Sequence, residues 1–366
     1  MKLRKLCCVA AMIGSLQACI KDAPLNPEAD IVTFKVDEKQ LTGQVFIDQS
    51  KASINLYVTP EALKSGIVPQ IAITPGATIT RTPAGPLTAP ASDTLHFDTI
   101  TGRARQQFIV TAANGASSRT YSVRVVTTGI WQWDFENWVT DEKEKYQYPI
   151  EKDSAVLWSS GNPGIAIALT GTPKSPEAYP LRMTTDAYHG KGAAEMQTRA
   201  GTALSNLVGI KLFAGSMFLG VFDIANAFGA PLEATQFGQP SRGNVVRFTG
   251  YYKYTPGAFY QDREGNKVDG KTDECSLYAV LYTGTKRLDA TNIHTSDRVI
   301  ARATLADGTA KAGWTSFDIP FVYTRKAVAG EQYMLAIVAS SSKNGDSYEG
   351  AVGSRLVLDS LEIVHE

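Results

Sequence analysis

The sequence predicts an all-β protein in which a small N-terminal β-sandwich precedes a larger jelly-roll β-sandwich. Short runs of residues alternate between apolar and polar positions, and Gly, Pro and Ser lie between them, which is typical of strands joined by turns. No amphipathic helix longer than two turns is recognisable. The composition changes near residue 128, and all five tryptophans of the 366-residue chain lie beyond that point. These observations indicate two β domains.

The first domain is expected to span residues 31–127. Its alternating runs are Val32/Phe34/Val36, Ile54/Leu56/Val58, Phe108/Val110/Ala112 and Tyr121/Val123/Val125. Runs of this length at this spacing favour a sandwich. Residues 29–34, 71–77 and 110–123 resemble the small immunoglobulin-like modules that follow the anchor in Bacteroidetes surface lipoproteins. That resemblance implies an immunoglobulin-like spacer without chemistry of its own.

The second domain is expected to span residues 130–366. Residues 244–254 and 315–321 alternate, so each strand has one apolar face. Residues 275–282 and 333–339 are apolar on both faces, as the central strands of a buried sheet are. Strands joined by long loops fit a double-sheet jelly roll best.

The N-terminus reads as an export signal rather than as part of the fold. A positively charged segment at the N-terminus is followed by an apolar stretch over residues 6–16 and then by Leu16-Gln17-Ala18-Cys19. This order indicates a signal peptide over residues 1–18. The motif resembles the lipobox of bacterial lipoproteins, in which the cysteine is acylated; an ordinary signal peptide is the alternative. Lipidated Cys19 would tether the chain to the outer membrane through residues 19–30. Lys21 and Asp22 resemble the surface-export signal of Bacteroidetes lipoproteins, which favours the cell surface over the periplasmic side.

The second domain resembles the putative carbohydrate metabolism domain of Bacteroidetes lipoproteins. The resemblance rests on residues 133–138, 158–164, 237–240, 250–257 and 340–354, and it covers nearly all of residues 130–366. It implies a carbohydrate ligand and leaves the reaction, if there is one, open.

Charge and motifs narrow the possible functions. The formal net charge is zero, so the chain has no basic field for nucleic acid. It contains no nucleophile elbow, zinc motif, P-loop or dinucleotide fingerprint. Two carboxylates suffice for glycoside hydrolysis, however, and distant strands can bring them together. Asp273, Glu274 and Glu136 are the candidates, with structural carboxylates as the alternative.

A structural calcium ion is the candidate cofactor. Glu136 opens the second domain and Asp359 closes it, and end strands can lie side by side in a sandwich. The two carboxylates could share an ion if carbonyl and water oxygens completed its shell. The alternative is that they bond to strand ends or to basic side chains.

A glycan site needs a flat aromatic ring with polar groups around it. Two polar loops and one outward-facing tyrosine have this chemistry, and loops between strands often carry binding residues. The alternative for the first loop is that its tryptophan packs into the core. The candidate residues are Trp158, Ser160, Asn162, Lys343, Asp346, Tyr348 and Tyr251.

The sequence therefore predicts a cell-surface lipoprotein whose second domain binds carbohydrate without turning it over. One alternative is a glycoside hydrolase or lyase that uses paired carboxylates. Another is an adhesin or structural envelope subunit with envelope proteins as partners.

Overall fold

The structure is a computed structural model that describes residues 25–366, without 83–84, 88–93, 98–104, 127–130, 153–154, 228, 242 and 329, and with backbone alone for 85–87. The predicted leader, Cys19 and the first part of the tether lie outside the described residues. Among the described residues, no helix is long and apolar enough to span a membrane.

The N-terminal domain is a small sandwich of two sheets. Strands β1 and β4 form one sheet, and the other has the order β2-β3-β8-β7-β5-β6 with β3 and β8 parallel. Apolar residues of both sheets, Ile31, Phe34 and Phe108 among them, form a core of their own. The elements are β1 (Ile31–Lys35), β2 (Phe46–Asp48), β3 (Ser53–Leu56), α1 (Pro60–Ser65), β4 (Gln70–Ile73), β5 (Thr78–Thr82), β6 (Gly85–Leu87), β7 (Arg105–Thr111) and β8 (Ser118–Val125).

Helix α1 shows why its boundaries fall where they do. The Thr59 hydroxyl accepts a hydrogen bond from the Ala62 amide, and Pro60 occupies the first turn, where no intrahelical donor is needed. Gly66 ends the helix with a φ of 87°, a conformation that costs glycine little.

The second domain is built from strands β9–β27 and three short helices. Its strands are β9 (Gln132–Trp133), β10 (Trp138–Thr140), β11 (Gln147–Pro149), β12 (Trp158–Ser159), β13 (Leu181–Thr184), β14 (Ala193–Gln197), β15 (Arg199–Ala200), β16 (Leu212–Phe213), β17 (Ser216–Phe222), β18 (Thr235–Phe237), β19 (Gln239–Ser241), β20 (Val245–Thr255), β21 (Ser276–Thr283), β22 (Leu288–Asp289), β23 (Val299–Thr304), β24 (Lys311–Pro320), β25 (Val322–Tyr323), β26 (Tyr333–Ser340) and β27 (Arg355–His365). The helices are α2 (Asn162–Ala168), α3 (Ala203–Leu207) and α4 (Pro231–Ala234).

Most of these strands form two antiparallel sheets packed face to face, and the all-β prediction is confirmed. The pairs β10-β11 and β15-β16 form two small separate sheets. The larger sheet has the order β22-β18-β17-β26-β21-β23-β25, with β12 beside β17 and β19 beside β26. The smaller sheet has the order β13-β14-β27-β20-β24, with β9 beside β27. Side chains of both sheets, Leu281, Leu335 and Phe248 among them, fill the core between them.

The two sheets differ in what covers their outer faces. A second apolar cluster that includes Phe218, Tyr278 and Ile293 covers the outer side of the larger sheet, so β21 and β26 are buried on both faces as predicted. In the smaller sheet, the outward residues of β20 and β24 are half-buried or exposed, whereas Glu195 of β14 and Asp359 of β27 are buried. The part of its outer face formed by β20 and β24 is therefore accessible to solvent.

Arg287 of the second domain reaches the first domain and is buried between them. Its Nε donates to the Gly238 carbonyl at 3.1 Å, and its Nη1 approaches the Gln44 carbonyl at 3.5 Å. Asn55 of the first domain donates to the Val156 carbonyl at 2.6 Å. A cavity of about 20 Å³ lies beside these contacts. Buried polar bonds therefore connect the domains.

Candidate functional site

Trp158 lies in the core of the second domain and offers no face to a sugar. Its strand pairs with β17, and the side chain is 1% exposed. Its ring packs edge-on against Trp133, with centroids 5.2 Å apart, and against Phe135 at 5.5 Å. The prediction of Trp158 as a stacking platform is therefore wrong, because aromatic burial fixes it inside the sandwich.

Ser160 and Asn162 are also structural. Asn162 donates through Nδ2 to the Leu181 carbonyl at 2.8 Å and accepts from the Leu181 amide at 3.2 Å. The Ser160 hydroxyl accepts from the Asn162 amide at 3.2 Å. Both side chains are buried, and they fasten the start of α2 to β13. The prediction that they contact a ligand is wrong for this reason.

The predicted loop with Lys343, Asp346 and Tyr348 follows β26 of the larger sheet. Lys343 forms an ion pair with Glu274 at 3.1 Å, and Tyr348 is half-buried with the Arg263 guanidinium 5.6 Å from its ring centroid. Asp346 is exposed. No described contact joins this loop to the Trp158 loop, so the structure does not assemble the predicted two-loop site.

Tyr251 faces outward from β20, as its alternation predicts, and it belongs to an aromatic cluster. Its ring stacks on that of Tyr188, with centroids 3.6 Å apart and planes 14° from parallel. Trp314 of β24 lies edge-on to Tyr188 at 5.9 Å. Tyr188 is 39% exposed, and the other two rings are partly exposed. We call Tyr188, Tyr251 and Trp314 the aromatic patch.

Two carboxylates hold the loop that carries Tyr188. Asp359, 0% exposed, accepts the backbone amides of Tyr188 at 2.7 Å and His189 at 2.9 Å. Glu136 accepts the amides of Lys191 at 2.9 Å and Gly192 at 3.1 Å. The segment between β9 and β10 and the last strand, β27, thus position one side of the aromatic patch.

A bulge in β27 helps to direct Asp359 to this loop. Between the pairs Thr249–Glu362 and Tyr251–Asp359, β27 contains one residue more than β20. The extra residue is Ser360, which has a φ of 50°. Burial raises the pKa of the Asp359 carboxyl above its usual value, although three backbone amides and the Ser360 hydroxyl oppose the shift.

Glu136 and Asp359 do not suit a shared calcium ion. Their oxygens already accept N–H groups, whose positive ends point to where a cation would bind. Among the described residues, no group of three or more His, Cys, Asp and Glu side chains could hold a metal. The sequence-based pairing of these carboxylates is thus corrected: each binds backbone amides of the Tyr188 loop.

Charged side chains continue from the aromatic patch across the outer face of the smaller sheet. Lys253 donates to Asp186 at 2.5 Å, and its ammonium lies 5.2 Å from the Trp314 ring centroid. Arg355 bonds Asp186 at 3.4 Å and Glu195 at 2.7 Å. We call Arg182, Asp186, Glu195, Lys253 and Arg355 the charged strip.

The strip is held in place by its buried member. The Glu195 carboxylate is 3% exposed and accepts from Arg355 on one side and from Arg182, at 2.5 Å, on the other. The hydrogen bond from Lys253 holds the pKa of Asp186 below its usual range. The strip therefore presents fixed donors, which suits recognition of hydroxyl and acidic groups.

The predicted catalytic carboxylates are engaged elsewhere. Asp273 is buried and accepts from Ser342 at 2.6 Å, Ser354 at 2.7 Å and the Ala351 amide at 2.8 Å. Burial raises the pKa of Asp273 despite these bonds. Glu274 pairs with Lys343, and Glu136 holds the Tyr188 loop. Within the described part of the chain, no contact brings two of these carboxylates to one substrate position.

Sequence reasoning missed Tyr188, Trp314 and the charged strip. Tyr188 lies in a turn-rich segment where alternation is absent, and Trp314 follows Gly313 at an irregular part of β24. The one available signal was Tyr251, because its outward position between Arg247 and Lys253 could be read from the strand pattern.

Comparison with known proteins agrees with this architecture. The chain is similar to a protein of Bacteroides thetaiotaomicron, described as a putative glycoside hydrolase, with 32% identity and a TM-score of 0.81 over 94% of this chain and 99% of that one. It is also similar to a protein of Bacteroides vulgatus with the same description, with 30% identity and a TM-score of 0.59 over 65% of this chain and 98% of that one. Comparison with curated proteins finds no match. Residues 134–364 match the family described as the putative carbohydrate metabolism domain, and the chain belongs to that family.

Proposed function

We propose that the second domain binds an oligosaccharide on the outer face of its smaller sheet. The observation that carries this proposal is the aromatic patch, in which Tyr188 and Trp314 expose ring surface beside the fixed donors of the charged strip. A pyranose has an apolar face that packs on such rings and hydroxyls that bond to the neighbouring donors. Membership of a carbohydrate-related family supports the same ligand class.

Preorganisation also supports a binding role. Four backbone amides of the 188–192 segment are bonded to Asp359 and Glu136, so the Tyr188 loop has a defined position before any ligand arrives. Rigid groups lose less freedom on binding, which leaves more of the contact energy for affinity.

A glycan array followed by titration tests the proposal. The chain of residues 20–366 retains every described residue and is screened with calcium and with chelator. We expect binding to a defined glycan class, no calcium dependence, and a loss of at least about tenfold in affinity for Tyr188→Ala or Trp314→Ala. Phe259→Ala is the matched control, because Phe259 is an aromatic side chain outside the patch that is 64% exposed. Equal affinities for all three variants would overturn the proposal.

Hydrolysis is the second candidate, favoured by the similarity to two proteins described as putative glycoside hydrolases. The array hits supply its test, since chromatography of each glycan after incubation shows whether shorter products form. Intact glycans, together with binding, would support a non-catalytic role.

We further propose that Cys19 is lipidated and that the first domain holds the second away from the outer membrane at the cell surface. The sequence of residues 1–22 supports this placement. Labelling with a palmitate analogue, lost in Cys19→Ala, and protease accessibility on intact cells test the anchor and the side that it faces. Absence of label from the wild type would refute the anchor.

The exposed edge of the smaller sheet gives little support to the alternative that the protein is an adhesin or a structural envelope subunit. Strand β24 is a long edge strand, but Lys311, Asp318 and Pro320 lie along it. Charged residues and proline at an edge disfavour pairing with another chain.

A further inference from the structure

Arg199 adds to the charged strip a guanidinium that forms no ion pair with a carboxylate among the described residues. Gln197, the last residue of β14, pairs with Arg355 of the charged strip, and Arg199 lies two residues further along the chain in β15, which pairs with β16. The Nε of Arg199 is buried and has no hydrogen-bond partner among the described residues. A buried donor without an acceptor is costly, and native proteins seldom leave one so.

A second guanidinium, that of Arg182, lies within electrostatic range of Arg199. Burial lowers the pKa of Arg199, and the positive charge of Arg182 lowers it further. Arg182 is already bonded to Glu195, which also binds Arg355. Exposed Glu177 lies within electrostatic range of Arg182 and Arg199, but it forms no ion pair with either in the described structure.

The charged strip together with Arg199 therefore carries more positive than negative charge. Asp186 and Glu195 are shared among three cations, Arg182, Lys253 and Arg355. Arg199 adds a fourth cation, which has no ion pair in the described part of the chain. This excess lies at the end of the strip away from the aromatic patch, because Arg182 is on β13 while Tyr251 and Trp314 are on β20 and β24.

The distance between the two ends suits an oligosaccharide. Arg182 on β13 and Trp314 on β24 are four strand spacings apart in the smaller sheet, which at about 4.8 Å each gives about 19 Å. A ligand that spans this face can pack one sugar on the aromatic patch and place an acidic group at the arginines.

We propose that the ligand is an anionic oligosaccharide whose carboxylate or sulfate group is bound by Arg199 and Arg182 while a sugar ring packs on the aromatic patch. This inference rests on the proposed function and adds the chemical class of the ligand. Planar guanidinium groups bind carboxylate and sulfate oxygens through two parallel hydrogen bonds, and an anion would supply the acceptor that the Arg199 Nε lacks.

Four oligosaccharide probes, titrated into the 20–366 chain, distinguish a carboxylate from a sulfate group as the anion that is bound. They are a uronic-acid oligosaccharide, its carboxyl-reduced neutral form, a sulfated oligosaccharide and its desulfated form. At low salt we expect one anionic probe to bind at least about tenfold more tightly than its neutral form, with a preference that shrinks as salt rises.

Variants of Arg199 identify the residue responsible. Arg199→Gln should abolish the preference for the anionic probe and leave the neutral affinity unchanged, whereas Arg199→Lys should retain part of it. Arg325→Gln is the control, because it removes an exposed guanidinium outside the strip, one that is bonded to Glu331. If Arg199→Gln does not fold, the wild-type preference and its salt dependence decide the proposal.

Two results would overturn this inference. One is equal wild-type affinity for the charged and neutral members of both probe sets. The other is the same effect from Arg199→Gln and Arg325→Gln. Neither result touches the proposed function, which fails separately if Tyr188→Ala changes no affinity.

Discussion

Replacing Asp359 by alanine should loosen the Tyr188 loop and destabilise the second domain. The side chain is 0% exposed and accepts the amides of Tyr188 at 2.7 Å, His189 at 2.9 Å and Ser360 at 2.6 Å. A buried donor that loses its acceptor costs about 1–3 kcal/mol. Since Tyr188 and His189 lie at the surface, water can replace part of the loss. We therefore take the low end for each amide and expect a decrease of about 2–3 kcal/mol in the free energy of unfolding.

Urea denaturation followed by tryptophan fluorescence measures this change. All five tryptophans lie beyond residue 130, so the signal reports on the second domain. Asp359→Asn keeps one acceptor oxygen and should cost about 1 kcal/mol. Asp346→Ala is the matched control, because Asp346 is exposed, and it should stay within about 0.5 kcal/mol of the wild type.

Two outcomes would contradict the claim that Asp359 stabilises the domain by accepting the amides of the Tyr188 loop. The first is a cost for Asp359→Ala no larger than that for Asp346→Ala. The second is a stabilisation of the wild type by calcium that Asp359→Ala abolishes, since the carboxylate would then hold an ion rather than the loop amides. We also expect Asp359→Ala to weaken glycan binding in the folded protein, because Tyr188 loses its fixed position.

Three further predictions follow from buried groups. Trp158→Ala should lower the free energy of unfolding by about 3–5 kcal/mol in urea denaturation without changing the glycan affinity of the folded fraction; a selective loss of affinity would contradict its place in the core. Arg287→Ala deprives the Gly238 and Gln44 carbonyls of their donor and should cost about 1–3 kcal/mol in the same assay, and no change would show that this contact does not stabilise the junction. Burial raises the pKa of the Asp273 carboxyl above its ordinary value of 3.8. The native state therefore holds the proton of Asp273 more tightly than the unfolded state does. The resulting stabilisation is complete below pH 3.8 and is lost as the pH rises through the raised pKa. The free energy of unfolding of the wild type relative to Asp273→Asn should therefore fall as the pH rises from below 3.8 through the raised pKa, and a rise would reverse the assigned sign.

The strands could be predicted because their periodicity is local. Buried β21 and β26 are apolar on both faces, and β20 alternates, so the sequence shows which strands are central and which face a solvent-accessible surface. Tyr251 was placed on the outer side of β20 by the same rule. These are properties of neighbouring residues and need no knowledge of the fold.

The site could be predicted only in part because its residues meet through topology. Tyr188, Tyr251 and Trp314 are more than 60 residues apart in sequence, and the order β27-β20-β24 brings them together. Trp158 was misread because its short strand is followed by Ser, Gly, Asn and Pro, which look like a ligand loop. The structure shows instead that these residues start α2 and that Trp158 fills the core.

The most direct test of the central claim is a crystal structure of the 20–366 chain with a bound oligosaccharide from the array. We expect a sugar ring packed on Tyr188 or Trp314 and ligand oxygens bonded to the charged strip. A sugar bound at the loop after β26, or anywhere else away from the outer face of the smaller sheet, would contradict it.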